Sequence, residues 1–232
     1  KLFTDPRFKP DMLKIYPTLI VKGSALYNLW LAGKYKPIDE KYVLAVLKKL
    51  FEICPEYVRI HRVQRDIPKA YIEAGPTQSN LRQEVIRQLD KEWLCKGGPA
   101  PSNEIRYREV GHVFQRLKKL PKNVQIQTIK YKSSGGDEYF ISAEDKKQKI
   151  LLGFCRLRIA VCGKAFVREL HVYGETLPLR CKKGLFQHVG WGKKMLARAE
   201  ELAKQQGCNA VWVISGIGVR AVSYTHLTLP TN

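Results

Sequence analysis

The sequence predicts an α/β protein, and three features carry the prediction. Its first third reads strand, helix, strand. Its second half reads as alternating strands joined by short polar turns, and near its end the loop Gln187-His188-Val189-Gly190-Trp191-Gly192 leads straight into an amphipathic helix. Strand, helix, strand order is what a parallel barrel or sheet produces, with functional residues gathered at the strand C-terminal ends. The alternating run predicts an antiparallel meander. The loop predicts an anion site, because glycines let a ligand approach closely and the first N–H groups of the next helix have no intrahelical acceptor.

In chain order, Met12 to Val21 reads as a buried strand with an irregularity at Pro17. Gly23-Ser24 then caps a short helix carrying Leu26, Leu29 and Trp30, which Gly33 ends. Asp39 is placed to cap a second helix with Val43, Val46, Leu47, Leu50, Phe51 and Cys54 on its apolar side, stopped by Pro55. Tyr57 to Val63 is the next strand. Alternation puts Arg59 and His61 on one of its faces and Ile60 and Arg62 on the other, so its basic side chains do not share a single solvated face. An Arg65–Asp66 turn salt bridge and a set of phosphate contacts are both open readings of this basic stretch. Asn80 to Leu94 reads as a helix with Leu81, Val85, Leu89 and Trp93 inward and Arg82, Arg87 and Lys91 outward, followed by a loop over 96–103.

After Pro121, Val124 to Lys132 alternates, with Val124, Ile126 and Thr128 facing one way and Gln125 and Gln127 outward. Residues 133–138 read as a turn; Tyr139 to Ser142, Ile150 to Ile159 and Ala165 to Tyr173 complete the meander. The helix after the glycine loop carries Met195, Leu196, Ala199, Leu202 and Ala203 on its apolar side and stops at Gly207, and Ala210 to Ser215 forms a last strand.

A formal charge of +20, from 41 Lys and Arg against 21 Asp and Glu, points to a polyanionic partner. Nucleic acid is favoured over acidic lipid, since no basic amphipathic helix stands out. The six cysteines never come closer than seven positions, so no C-x-x-C pair exists, and they read as reduced thiols of a cytoplasmic protein. No secretory signal and no apolar run of spanning length is present, so no membrane association is expected.

Several linked segments carry a resemblance. DPRFKPDMLKIYPTLIVKGSALYNLWLAGKYKP, VRIHRVQRDIP, SNLRQ and RYREVGH, followed by VRELHVYG, FQHVGWG and ISGIGVR, resemble the catalytic-subunit family of Elongator, the tRNA carboxymethyluridine synthases. In that family a radical SAM domain is joined to a GNAT-like domain. The resemblance runs from Phe3 to Arg220. It implies that 1–75 is the C-terminal part of a radical SAM α/β barrel, 76–115 a basic helical linker, and 116–220 an incomplete GNAT-like α+β acetyl-CoA domain. Residues 221–232, AVSYTHLTLPTN, depart from the family and are expected to be a non-native tail.

The same resemblance assigns Phe186, Gln187, His188, Val189, Gly190, Trp191 and Gly192 to the CoA pyrophosphate, and Glu169, Leu170, His171 and Val172 to the pantetheine arm, mainly through backbone groups. Charge and position add Lys14, Arg59, Arg62 and Arg65 as contacts to a tRNA anticodon loop. The implied reaction uses S-adenosyl-L-methionine and a 4Fe-4S cluster to generate a radical on the acetyl methyl of acetyl-CoA, which adds to C5 of the wobble uridine. The family's cluster cysteines, an N-terminal lysine at acetyl-CoA and the acetyltransferase tyrosine are not among these 232 residues, so catalytic residues stay unassigned and the fragment is expected to be inactive alone. Many microbial relatives bind zinc through cysteines just before the segment matching RYREVGH. Only Cys95 lies near it here, so no metal is expected and His112 reads as a packed or surface histidine. A homodimer or accessory subunits are open. Two other functions are open as well: a protein lysine acetyltransferase with Glu169 as base, and a non-catalytic RNA-binding module.

Overall fold

The computed structural model describes residues 1–97, 100–173 and 190–214. Two compact units emerge: one is Asp11–Tyr107, the other Lys1–Pro10 together with the chain from Arg108 onward.

The first unit contains β1 (Met12–Lys14), β2 (Ile20–Val21), α1 (Ala25–Leu31), α2 (Glu40–Ile53), β3 (Arg59–Arg62), a 3-10 turn (Lys69–Tyr71), β4 (Ile72–Ala74) and α3 (Leu81–Lys96), and α4 (Ile105–Arg108) begins at its end. Strands β1 and β3 pair in parallel, as the strand, helix, strand order predicts, while β2 and β4 pair antiparallel. The single strand expected over 12–21 is therefore two strands in different sheets, broken around Pro17, which has no N–H to give to a ladder. Helix α1 starts at Ser24, whose hydroxyl accepts from the Tyr27 N–H at 3.2 Å. Helix α2 buries Val43, Leu47 and Phe51, but Val46, expected with them, is 49% exposed. Against α2 packs α3, through Leu81, Val85 and Leu89, and Lys48 of α2 bonds Glu92 of α3.

Arg82 corrects an expectation. Rather than pointing outward, its guanidinium donates to the Ile60 carbonyl and lies 5.6 Å from the centre of the Phe51 ring. A strand-end carbonyl needs a donor, and the long stem of an arginine can cover an aromatic ring while supplying one.

Glu104, fully buried before α4, ties that helix to β3. One carboxylate oxygen accepts from the Ile60 N–H and the other from the Tyr107 N–H, both at 2.7 Å, and burial pushes its pKa up. In Glu104→Gln one of the two acceptors becomes an NH2 facing an N–H donor. A stability loss of about 1–3 kcal/mol is expected in urea unfolding, and an unchanged midpoint would rule out this tie.

In the second unit α5 (Val110–Leu117) precedes β5 (Gln125–Ser133), β6 (Gly136–Asp145), β7 (Ile150–Ile159), β8 (Ala165–Val172), α6 (Trp191–Gln205) and β9 (Val211–Val213). The sheet order is β5-β6-β7-β8-β9, antiparallel except for the parallel β8–β9 pair. The first turn is tighter than expected: only Ser134 and Gly135 lie outside the ladder, with φ of 47° and 77°, and positive φ at both positions is what a type I′ hairpin requires. Residues 1–10 join this hairpin through Ser134 N–H to Pro6 O at 2.8 Å and the Ser133 hydroxyl to Phe8 O at 2.8 Å.

Helix α6 lies on β6, β7 and β8 and buries Met195, Leu196, Ala199, Leu202 and Ala203. Three large apolar side chains at roughly 1.5–3 kcal/mol each outweigh the cost of about 1 kcal/mol for Gly192 inside the helix. Among the described residues no helix is long and apolar enough to cross a membrane.

Candidate functional site

The sheet unit brings the start of α6 against the far end of β8. Strand β8 carries a bulge: Arg156 pairs with Glu169 and Leu157 with Val167, leaving Arg168 as the extra residue. The parallel ladder to β9 covers Ala165, Phe166 and Val167 and closes with Ile214 N–H to Val167 O at 2.9 Å. Among the described residues, then, Glu169 to Val172 are laddered to β7 only.

Beside this stretch sits the first turn of α6. A Cβ on Gly192 would lie 3.5 Å from Val172 Cγ2 and 4.0 Å from Leu170 Cδ2, so the helix start rests directly on β8. Gly190 precedes the helix at φ 69°, a left-handed conformation that favours glycine. The first helical hydrogen bond is Lys194 N–H to Gly190 O at 3.0 Å, which leaves the N–H groups of residues 191–193 facing away from the helix's own carbonyls. No acid stands in this turn; Lys193 and Lys194 do, with Lys194 drawn over the Trp191 ring at 4.2 Å. Cations at a helix N-terminus oppose the helix dipole, so the arrangement gains by receiving an anion.

Of the residues expected at this site, Leu170 and Val172 meet Gly192, with Gly190 and Trp191 next to it in the chain, whereas the Glu169 and His171 side chains alternate to the other face of β8, against Arg156 and Phe154; Phe186, Gln187, His188 and Val189 lie outside the described residues, as does the 221–232 tail. Glu169 does not stand alone. Its carboxylate is 2.9 Å from Arg156 Nε, an engagement that works against a role as general base.

The other unit carries a basic face on the β1–β3 pair. Lys14 pairs with Arg62 and Leu13 with Ile60, so His61 is an inserted residue in β3. Strict alternation fails here, because the bulge leaves His61 and Arg62 exposed together. The expected separation of the basic residues onto two faces is therefore wrong: loss of solvent first, then the charges of Lys14, Arg59, Arg62 and Arg106, hold the His61 imidazole below its ordinary pKa. Arg106 lies in the segment RYREVGH, but its place on this basic face was not foreseen. It comes from α4, 44 positions beyond Arg62, and its local sequence does not show that it reaches His61.

Of the two open readings of this stretch, the Arg65–Asp66 bridge is not the pair that forms. Asp66 meets Arg62 at 3.2 Å, with side chains 83% and 50% exposed, while Arg65 lies 5.4 Å from the centre of the Tyr16 ring. An exposed pair of this kind contributes about 0–1 kcal/mol, so Arg62 can exchange Asp66 for another anion at little cost. Like charges converging around a neutral histidine repel one another, and an anion would relieve that repulsion. His112 is part-exposed and 3.8 Å from Glu109 Oε1.

A parallel strand pair flanked by helices in one unit, and a bulged sheet with a glycine-led helix in the other, define an α/β protein. Residues 10–91 match the Radical_SAM C-terminal domain. Over its length the chain is 40% identical to the tRNA uridine(34) acetyltransferase of Methanocaldococcus jannaschii, covering 95% of this chain and 42% of that protein. It is 38% identical to the Elongator complex protein 3 of Saccharomyces cerevisiae, covering 94% of this chain and 40% of that one. Among solved structures, the archaeal Methanocaldococcus infernus Elp3 with an N-terminal deletion superposes with a TM-score of 0.87 at 37% identity, over 97% of this chain and 54% of that chain. The chain is a homologue of these Elongator-type proteins, and it spans about two fifths of the length of the curated relatives it matches.

Proposed function

We propose that this chain is the acetyl-CoA-binding and part of the tRNA-binding portion of an enzyme that modifies the wobble uridine of tRNA. The observation that carries the reading is the glycine-led start of α6, without an acid in its first turn, resting on Leu170 and Val172 of β8. The sheet unit is read as GNAT-like. Residues 187–192 take the pyrophosphate, with the Trp191 and Gly192 N–H groups as donors, and the backbone of Glu169 to Val172 takes the pantetheine arm. Acetyl-CoA supplies an activated acetyl group; the protein orients it and shields it from water. The basic face of Lys14, Arg59, Arg62, Arg65 and Arg106 takes tRNA phosphates, and the exposed Tyr16 ring offers a stacking surface.

The described cysteines, Cys54, Cys95, Cys155, Cys162 and Cys208, form no group, and no three His, Cys, Asp or Glu side chains converge among the described residues. These residues do not fit a 4Fe-4S cluster. We assign the cluster and S-adenosyl-L-methionine to the part of the complete protein that these 232 residues do not contain, and derive no step through them.

Binding of tRNA is expected to weaken steeply with salt, with a log–log slope on the order of −0.7 per phosphate neutralised. Replacing Arg62 and Arg65 together with alanine is expected to flatten the slope by about one to two units in a fluorescence titration while acetyl-CoA affinity stays unchanged. A slope equal to that of the unaltered chain would remove both arginines from the interface. For the reaction itself, nucleoside mass spectrometry of tRNA incubated with the completed protein, S-adenosyl-L-methionine, reductant and acetyl-CoA is expected to reveal carboxymethyluridine; acetylated protein lysines with unmodified tRNA would overturn the reading.

A further inference from the structure

Two buried ion-pair systems flank the β8 bulge. Glu138 of β6, its side chain 2% exposed, gives one carboxylate oxygen to Arg158 Nη1 and the other to Arg168 Nη2, both at 2.7 Å. Arg168 is the inserted residue, so its side chain crosses β7 to be held on β6. Arg158 also donates to Ser134 O at 2.8 Å, which anchors the clamp to the β5–β6 turn. On the other side of the bulge Arg156, 1% exposed, lies 5.3 and 5.0 Å from the ring centres of Phe140 and Phe154 and meets Glu169 at 2.9 Å. Among the described residues, Val167, directly before the clamped residue, accepts the last bond on the β9 side, from Ile214 N–H.

We propose that Glu138, Arg168 and Arg156 are positioning residues that keep the bulge at Arg168 and so fix the register in which β8 presents the backbone of Glu169 to Val172 toward the pantetheine arm of an acyl-CoA. The inference rests on the acetyl-CoA reading given above. A bulge is vulnerable to slippage, since moving β8 by one residue would restore regular pairing while turning every later side chain to the opposite face. The ion pairs oppose that slip from both sides of the insertion: Arg168 cannot rejoin the ladder without leaving Glu138, and Glu169 cannot shift without leaving Arg156. Pairs exposed on both sides would resist weakly, but Glu138 is 2% and Arg156 1% exposed, and a buried charge that loses a partner is penalised more than a solvated one.

The test is calorimetric titration of the chain and its Glu138→Gln and Arg168→Met variants, below the melting temperature of each, with two probes. One is acetyl-CoA; the other is 3′-phosphoadenosine 5′-diphosphate, the nucleotide and pyrophosphate end without pantetheine. Each variant is expected to lose acetyl-CoA affinity on the order of tenfold and to keep its affinity for the nucleotide, and the double variant to be no worse than the weaker single. Arg168→Lys, which keeps the charge, is expected to recover part of the loss. Lowered melting temperatures with both affinities unchanged would reduce the clamp to a stability role and overturn the proposal, as would an equal loss for both probes. Absence of acetyl-CoA binding by the unaltered chain would instead bring down the acetyl-CoA reading, and the clamp inference with it. Should Glu138→Gln not fold, Arg168→Met, at a half-buried side chain, carries the same comparison.

Discussion

Glu144→Leu is expected to destabilise the sheet unit by about 3–5 kcal/mol, the typical result of removing one member of a fully buried ion pair. Glu144 and Arg108 are in direct contact with side chains 3% and 2% exposed, so deleting the carboxylate removes a buried contact of a desolvated guanidinium charge. The pair joins the segment entering α5 to the end of β6, next to the bridge between Glu109 and Leu151. Because two desolvated charges gain little over apolar groups of similar volume, the double replacement of Arg108 by Met and Glu144 by Leu is expected to regain most of the loss. Urea unfolding followed by circular dichroism gives both numbers. A single-variant loss below about 1 kcal/mol would mean that Arg108 finds another acceptor, and the pair would then contribute little.

Both buried pairs and bulges mark where the amino-acid sequence stops being legible. Helix α6 could be read because Met195, Leu196, Ala199, Leu202 and Ala203 recur on one face, and all five are buried. The bounds of β7 could be read from ten residues between two turns, and the parallel pairing of β1 with β3 from element order. Strand β6 runs further than its apolar residues suggest, from Gly136 to Asp145, because Glu138, Glu144 and Asp145 are buried polar residues whose partners lie elsewhere in the chain. A period-two reading assumes an unbroken pleat. The insertions at His61 and Arg168 break it, and each is fixed by a neighbouring strand that local sequence does not specify. For the candidate site, the Gly190 and Gly192 spacing was visible, whereas the contact of Gly192 with Leu170 and Val172, the arrival of Arg106 beside His61, and the clamp on Arg168 depend on packing between distant segments.

Gly190→Asp is expected to abolish most acetyl-CoA binding while leaving the fold in place. Among the described residues a Cβ at residue 190 meets nothing within 4 Å, so the substitution creates no collision with them. The backbone cost is limited, because φ of 69° is left-handed and Asp and Asn tolerate that region better than other side chains, at a cost on the order of 1 kcal/mol. The electrostatic effect is larger. A carboxylate about 4 Å from a pyrophosphate repels it by roughly 4 kcal/mol at a surface-like dielectric, which corresponds to roughly a thousandfold in affinity. The new side chain would also compete for the N–H groups at the start of α6, as an N-cap aspartate does. Gly190→Asn separates the contributions: it shares the backbone preference and the capping ability without the charge, so it is expected to weaken binding far less than Asp. Calorimetric titration with acetyl-CoA at low salt measures both. Equal affinities for Gly, Asp and Asn at this position would place the pyrophosphate away from the α6 N-terminus and overturn the acetyl-CoA site proposed here, and equal losses for Asp and Asn would assign the effect to capping rather than to charge.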